Sequence, residues 1–287
     1  MKWTFGLLIL VLAIAALLLG AGEFLSRPVR REIGPPPAAL QAKALRIALP
    51  DGGAVAGWFH RGRPGGAAVL LLHGVRGDRS DMAGRAAPLV ADGYSVLLID
   101  LPSHGESTGD RITFGAHEAA GVRAALAWMR VQLPGERIGV IGVSLGAASL
   151  VLSRPDPAPD AVVLEMMYPT IRDAVQDRLA MRLGDTAGRA LAPLLLWQLP
   201  LRSGVSEQDL RPIDAVRALH SPLLVMAGTR DEHTRWSETQ ALFEAANAPK
   251  ALWPVDGAAH VNLHAFAPRA YEMQVMSFLE QYLRGAR

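Results

Sequence analysis

Hydrophobic positions along the chain fall into three regimes. In the first, from Trp3 to Gly22, twenty residues pass without a charge, and Gly6 to Leu19 reads GLLILVLAIAALLL. Twenty helical residues span about 30 Å, the thickness of a bilayer core, and this segment has no polar face to turn toward water. The pattern predicts a transmembrane anchor rather than a buried globular helix. A cleaved secretory signal is the alternative, since Lys2 gives a short basic start and Gly20 and Gly22 are small residues at a cleavage-like position. The run exceeds the ~7 to 15 residues of a signal core, which favours the uncleaved anchor. Arg27, Arg30 and Arg31 follow the run, against Lys2 and the α-amine before it, so the positive-inside rule leans toward a cytoplasmic C-terminal region. Cleavage would leave a secreted or periplasmic protein instead. Pro28, Pro35, Pro36 and Pro37 then predict a stiff, extended tether over residues 1–37 with the anchor, and a folded domain over 38–287.

In the second regime short apolar runs alternate with helical spacing. The expected strands are Leu45 to Leu49, Val55 to His60, Ala68 to Leu72, Ser95 to Asp100, Arg137 to Val143, Ala161 to Glu165, Leu223 to Ala227 and Ala251 to Val255. Val69 to Leu72 and Val96 to Ile99 are apolar at every position, as strands covered on both faces require. Ala83, Ala86, Ala87 and Val90, and again Val122, Ala125, Leu126 and Met129, follow the i, i+3, i+4, i+7 spacing of amphipathic helices. Ser237 to Gln240 reads as a capping box ahead of Leu242 and Phe243, and Tyr271, Val275, Phe278, Leu279 and Tyr282 form the inner stripe of a terminal helix. This alternation predicts an α/β fold with a mostly parallel eight-stranded sheet between helical layers.

The third regime breaks the alternation. No strand pattern occurs between Met166 and Leu219, and Leu194, Leu195, Leu196, Trp197 and Leu199 crowd a short stretch with two prolines. Residues 167–211 are expected to form a helical cap over the sheet, the other reading being a pair of ordinary packing helices.

Composition narrows the chemistry. With 29 Lys and Arg against 27 Asp and Glu, the net charge of +2 carries no signature of nucleic-acid binding. The absence of cysteine removes disulfides, thiolate metal sites, cysteine nucleophiles and lipoprotein anchoring. No phosphate-binding loop, dinucleotide fingerprint or His-Glu-x-x-His is present, so no metal or nucleotide cofactor is implied. The oligomeric state is left open.

The strongest chemical signal is Gly142-Val143-Ser144-Leu145-Gly146, at the junction of an expected strand and helix. A G-x-S-x-G pentapeptide in that context is a nucleophile elbow: the serine occupies a sharp turn, and side chains at Gly142 and Gly146 would collide with nearby backbone. A serine hydroxyl is a weak nucleophile at neutral pH and needs a base held by a third group. Among eight histidines, His260 stands in a small-residue loop after the last strand, with His264 its nearest rival. The acid is expected between serine and histidine in chain order, where Asp231 follows a strand directly and Glu165 is the second candidate. After another strand, His73-Gly74 turns the chain so that the Val75 amide can face the serine. With the Leu145 amide it would form an oxyanion hole, each donor contributing about 10²- to 10³-fold in rate. Structural roles are expected for His73, Asp100 and His104.

Taken in order, His73-Gly74, Asp100-Leu-Pro-Ser-His-Gly-Glu-Ser107, Gly142-Val-Ser144-Leu-Gly146, Asp231 and Gly257-Ala-Ala-His260 resemble the α/β-hydrolase family over residues 45–285. Within it the chain looks like the small, membrane-tethered group with a short cap, sometimes labelled serine aminopeptidase-like. One departure is Ser103-His104-Gly105, where relatives often carry glycine before the histidine. The resemblance implies a catalytic triad of Ser144, His260 and Asp231 and hydrolysis of carboxylic esters or thioesters of apolar acyl groups, lipid-like or small, with the cap leucines as an acyl pocket. A serine peptidase or amidase of the same fold, and a non-catalytic membrane-tethered binding module, are the other readings.

Overall fold

The computed structural model describes residues 2–285. The chain opens with helix α1 (Lys2–Ser26), a short strand β1 (Val29–Arg30), and strands β2 (Lys43–Ala48), β3 (Ala54–His60) and β4 (Ala68–Leu72). Helix α2 (Ala83–Ala91), strand β5 (Ser95–Ile99), short strand β6 (His104–Gly105), helix α3 (Glu118–Gln132), strand β7 (Ile138–Val143), helix α4 (Leu145–Leu152) and strand β8 (Ala161–Glu165) follow. Then come helices α5 (Ile171–Leu183), α6 (Asp185–Leu196), α7 (Leu199–Ser203) and α8 (Pro212–Val216). Strand β9 (Leu223–Gly228), helix α9 (Trp236–Ala245), strand β10 (Lys250–Val255) and helices α10 (Leu263–Phe266) and α11 (Pro268–Leu279) complete the order.

All eight expected strands enter one sheet, in the order β10-β9-β8-β7-β4-β5-β3-β2. The pairs β2–β3 and β3–β5 are antiparallel and the remainder are parallel, so the sheet is mixed at one edge. Strand periodicity divides its side chains between two cores. Leu70, Leu72, Leu97, Ile99 and Val140 face α3 and α4, whereas Val69, Leu71, Val96, Leu98 and Ile141 face α2 and α11. Each leucine buried in these layers contributes about 1.5–3 kcal/mol, which is why strands apolar at every position settle at the sheet centre.

Between β8 and β9 the chain is helical, as the sequence pattern indicates. Ile171, Ala192, Leu196, Val205 and Leu210 give this segment a small core of its own. Two local expectations change. Helix α9 begins at Trp236, with Glu238 accepting the Arg235 amide at 3.1 Å, so the box lies two residues ahead of Ser237–Gln240. The residues after α1 are not a free tether: the Val29 and Arg31 amides donate to the carbonyls of Ser103 and Gly105, and Ile33 N–H donates to Glu106. Sheet-type pairing by only two residues leaves no periodicity to read.

Helix α1 is long and apolar enough to cross a membrane, with mean hydropathy 2.7 over its spanning window. Its last turns meet the helical segment and the connection between β6 and α3: Arg202 bonds the Leu19 carbonyl and Glu23, each at 2.6 Å, and Arg111 bonds Glu23 at 2.8 Å.

Candidate active site

Four loops at the carboxyl ends of parallel strands converge, the position where open α/β sheets place ligands. The loop after β7 carries Ser144 with φ 50° and ψ −106°, a left-handed conformation that a side-chain-bearing residue keeps only when its surroundings enforce it. The Ser144 amide donates to the Glu165 carbonyl at 2.8 Å, and the Ser144 carbonyl accepts from Ala148 at 3.0 Å. The flanking glycines are required by contact: a Cβ on Gly142 would lie 2.7 Å from the Ala147 nitrogen, and one on Gly146 would lie 2.5 Å from the Leu72 carbonyl oxygen.

Asp231 and His260 come from the loops after β9 and β10, which are stitched together by the Arg230 amide on the Ala258 carbonyl at 2.8 Å. The Asp231 side chain is sealed from solvent. Its Oδ1 accepts the amides of His233 and Thr234 at 2.8 and 2.9 Å, and its Oδ2 lies 2.7 Å from His260 Nδ1. A carboxylate can only accept, so the proton sits on Nδ1 and Nε2 carries the basic lone pair. Ser144 and His260 line one cavity of about 380 Å³, together with Val75, Met82, Val143, Met166 and Val261 as apolar wall.

The loop after β4 places Val75 in that wall. Behind it, His73 is fully buried: its Nδ1 donates to the Gly74 carbonyl at 2.7 Å and its Nε2 accepts the Leu101 amide at 3.0 Å. Burial, reinforced by His104 nearby, pulls its pKa down to about 3, so it is a neutral brace. Leu145 is the first residue of α4, where an amide has no carbonyl one turn back to accept it.

The rivals are placed elsewhere. Glu165 is held by Arg85 at 2.9 and 2.7 Å and by the Tyr271 hydroxyl at 2.5 Å, a buried structural cluster. His264 bonds Glu272 at 3.1 Å and packs edge-on against Tyr271. Asp100 accepts the amides of Arg79 and Glu106 at 2.7 and 2.9 Å and pairs with the buried Arg79 guanidinium, itself stacked on Trp58. Ser103 adopts φ 67° without being glycine, its Oγ donating to the Arg111 carbonyl at 2.7 Å, and the turn survives the departure noted above.

One expectation is corrected. Leu195, Leu196 and Leu199 line a second, smaller cavity against Gly22 and Leu25 of α1, while Leu194 and Trp197 are exposed. They do not line the cavity of Ser144, because the α6–α7 face that carries them packs toward the N-terminal helix. From α5–α7 the residue that reaches the Ser144 cavity, among the described residues, is Arg178. His233 also lines it, its ring 4.9 Å from that of His260, with burial and that neighbour lowering its pKa. Neither residue stands out in sequence. Asp231, His233 and His260 offer ligand atoms within 4.8 Å of one another, a spacing that could hold a metal ion. Asp231 Oδ1 already accepts two amides, so its ligand atom would be Oδ2, the oxygen that meets His260.

The sequence model of the Alpha/beta hydrolase family matches residues 69–272. The chain belongs to that family. An uncharacterised protein of Mycobacterium tuberculosis, MT2364, is 32% identical to this α/β hydrolase over 267 residues, spanning 87% of each chain. The uncharacterised Bacillus subtilis protein YqkD is 22% identical over 74% of this chain and 70% of its own. An esterase of Pyrococcus furiosus shares the fold with a TM-score of 0.74 at 23% identity, over 90% of this chain and 98% of its own. An Exiguobacterium antarcticum esterase aligns with a TM-score of 0.61 at 15% identity, over 82% of this chain and 98% of its own.

Proposed function

We propose that this α/β hydrolase is a serine hydrolase acting on carboxylic esters or thioesters. The observation that carries the reading is the Asp231–His260 pair, 2.7 Å apart, on a cavity that Ser144 enters from a left-handed turn. Ser144 Oγ attacks the acyl carbon as His260 Nε2 takes its proton. The amides of Val75 and Leu145 receive the oxyanion, and Asp231 stabilises the imidazolium. The imidazolium then protonates the leaving alkoxide or thiolate. Water, activated by the same nitrogen, releases the acid and restores the serine. The apolar wall of Val75, Met82, Val143, Met166 and Val261 suits the acyl part, and residues 167–211 act as the cap. We assign α1 to a membrane anchor on its length and hydropathy.

The test is fluorophosphonate labelling of the full chain in detergent, followed by hydrolysis of matched ester and amide substrates. Labelling is expected in wild type and lost in Ser144→Ala and His260→Ala, with esters cleaved well ahead of amides. Persistent labelling in Ser144→Ala would overturn the assignment of the nucleophile. Preference for the amide would turn the reading to a peptidase, and folded wild type that neither labels nor cleaves would turn it to a binding module.

A further inference from the structure

Arg178 stands on α5 and lines the same cavity as Ser144 and His260. Its hydrogen bond to protein, among the described residues, runs from Nη1 to the Ala174 carbonyl on its own helix, at 2.8 Å. A guanidinium carries five N–H donors, so most are left for the cavity. The acidic groups near it, Asp177, Asp231 and Glu238, attract it from a distance, and among the described residues none forms an ion pair with it. Asp177 pairs with Arg235 at 2.9 Å, Asp231 serves His260 and two amides, and Glu238 caps α9. Arg85, the other arginine of this cavity, has by contrast a full bidentate partner in Glu165. Burial pulls the Arg178 guanidinium below the ordinary arginine value, against the opposing pull of Tyr168, Asp231, Asp177 and Glu238, although an arginine stays charged at neutral pH. A half-shielded cation with no ion-pair partner among the described residues is costly to keep, and a ligand that brings an oxyanion lowers the cost.

We propose that Arg178 receives an anionic group, carboxylate or phosphate, carried by the substrate at a distance from the scissile carbonyl. The fork of the guanidinium matches either group through two parallel hydrogen bonds. Asp81 also lines the cavity, its Oδ2 accepting the Asp78 amide at 3.3 Å, and its like charge directs an anion toward α5. The substrate class is therefore an ester with an apolar stretch against Val75, Met166 and Val261 and a charged end at the cap. The inference rests on the hydrolase reading above.

The experiment compares kcat/KM of the full chain for three p-nitrophenyl esters of matched length, ending in methyl, carboxylate or phosphate. Wild type is expected to favour at least one anionic ester over the neutral one by about 10- to 100-fold, the range of a hydrogen bond to a charged group. Arg178→Met should collapse that ratio and Arg178→Lys should keep part of it. Glutarate and glycerol phosphate should compete with the neutral ester where glutaramide does not, and the stronger anion names the source of the charge. Equal turnover of all three esters by wild type, with no competition by either anion, would overturn the proposal while leaving the hydrolase reading intact. Where no ester is cleaved and the probe does not label, the hydrolase reading fails. In that case a rise in melting temperature with glutarate or glycerol phosphate, present in wild type and absent in Arg178→Met, sustains anion binding, and no rise in wild type refutes it.

Discussion

Asp231 has both carboxylate oxygens in use, one on two backbone amides and one on His260. An amide in its place can keep the backbone contacts through its oxygen, but then offers –NH2 to Nδ1, so the proton moves to Nε2 and the base of the proposed mechanism is lost. Asp231→Asn is therefore expected to fold normally by circular dichroism while kcat for ester hydrolysis falls by about 10⁴-fold. At this scale the sequence was most informative where chemistry demands fixed residue types. Gly142, Ser144 and Gly146 form a contiguous motif whose sterics are local, and Asp231 and His260 each follow a strand in the expected chain order. Arg178 and His233 are in the cavity only because α5 and the loop after β9 pack there. A charged residue in a helix full of charges gives no periodic or motif signal of such a place.

Helices α5 and α9 meet through Glu238 and Asp177. Burial, followed by the negative charges of Asp177 and Asp173, pushes the Glu238 pKa up to about 8 from 4.5. A carboxyl whose folded value is raised holds its proton in the folded chain when the unfolded chain has already lost it. This contribution to stability is fully present below the unfolded value and is lost as pH rises from about 4.5 to about 8. Thermal melts are expected to show wild type losing stability across that window relative to Glu238→Gln, which holds the neutral form throughout. Equal slopes for the two proteins would remove Glu238 as the source. The elements themselves were legible because their apolar runs are long: β4 and β5 are buried at all positions, and their limits match to within a residue. The β1–β6 pairing and the start of α9 were not, since two-residue pairing and a cap depend on partners distant in the chain or on backbone angles.

At the scale of the molecule, the sequence suggested an anchor, a stiff, extended tether and a domain; in the structure α1 and the residues after it pack against the rest of the chain. Glu23 sits between Arg111 and Arg202, and Arg76, next to Val75 in the loop after β4, stacks on Phe24 at 4.8 Å and bonds its carbonyl at 3.3 Å. The same end of α1 therefore touches both α7 and the loop that carries Val75 into the wall of the Ser144 cavity. A helix of fixed apolar length answers a thinner bilayer by tilting more or by thickening it locally, and a thicker one by standing more upright or by thinning it. With α1 seated in a bilayer, its tilt is applied at Arg202 and Arg76 together, as a lever with two contact points. Turnover of a water-soluble ester is then expected to differ between vesicles of short-chain and long-chain phosphatidylcholine. The difference should shrink in the double variant Arg76→Ala, Arg202→Met, because the lever has lost its grip. Lipid thickness, a property of the surroundings and not of any ligand, would in this way set the working rate of the enzyme.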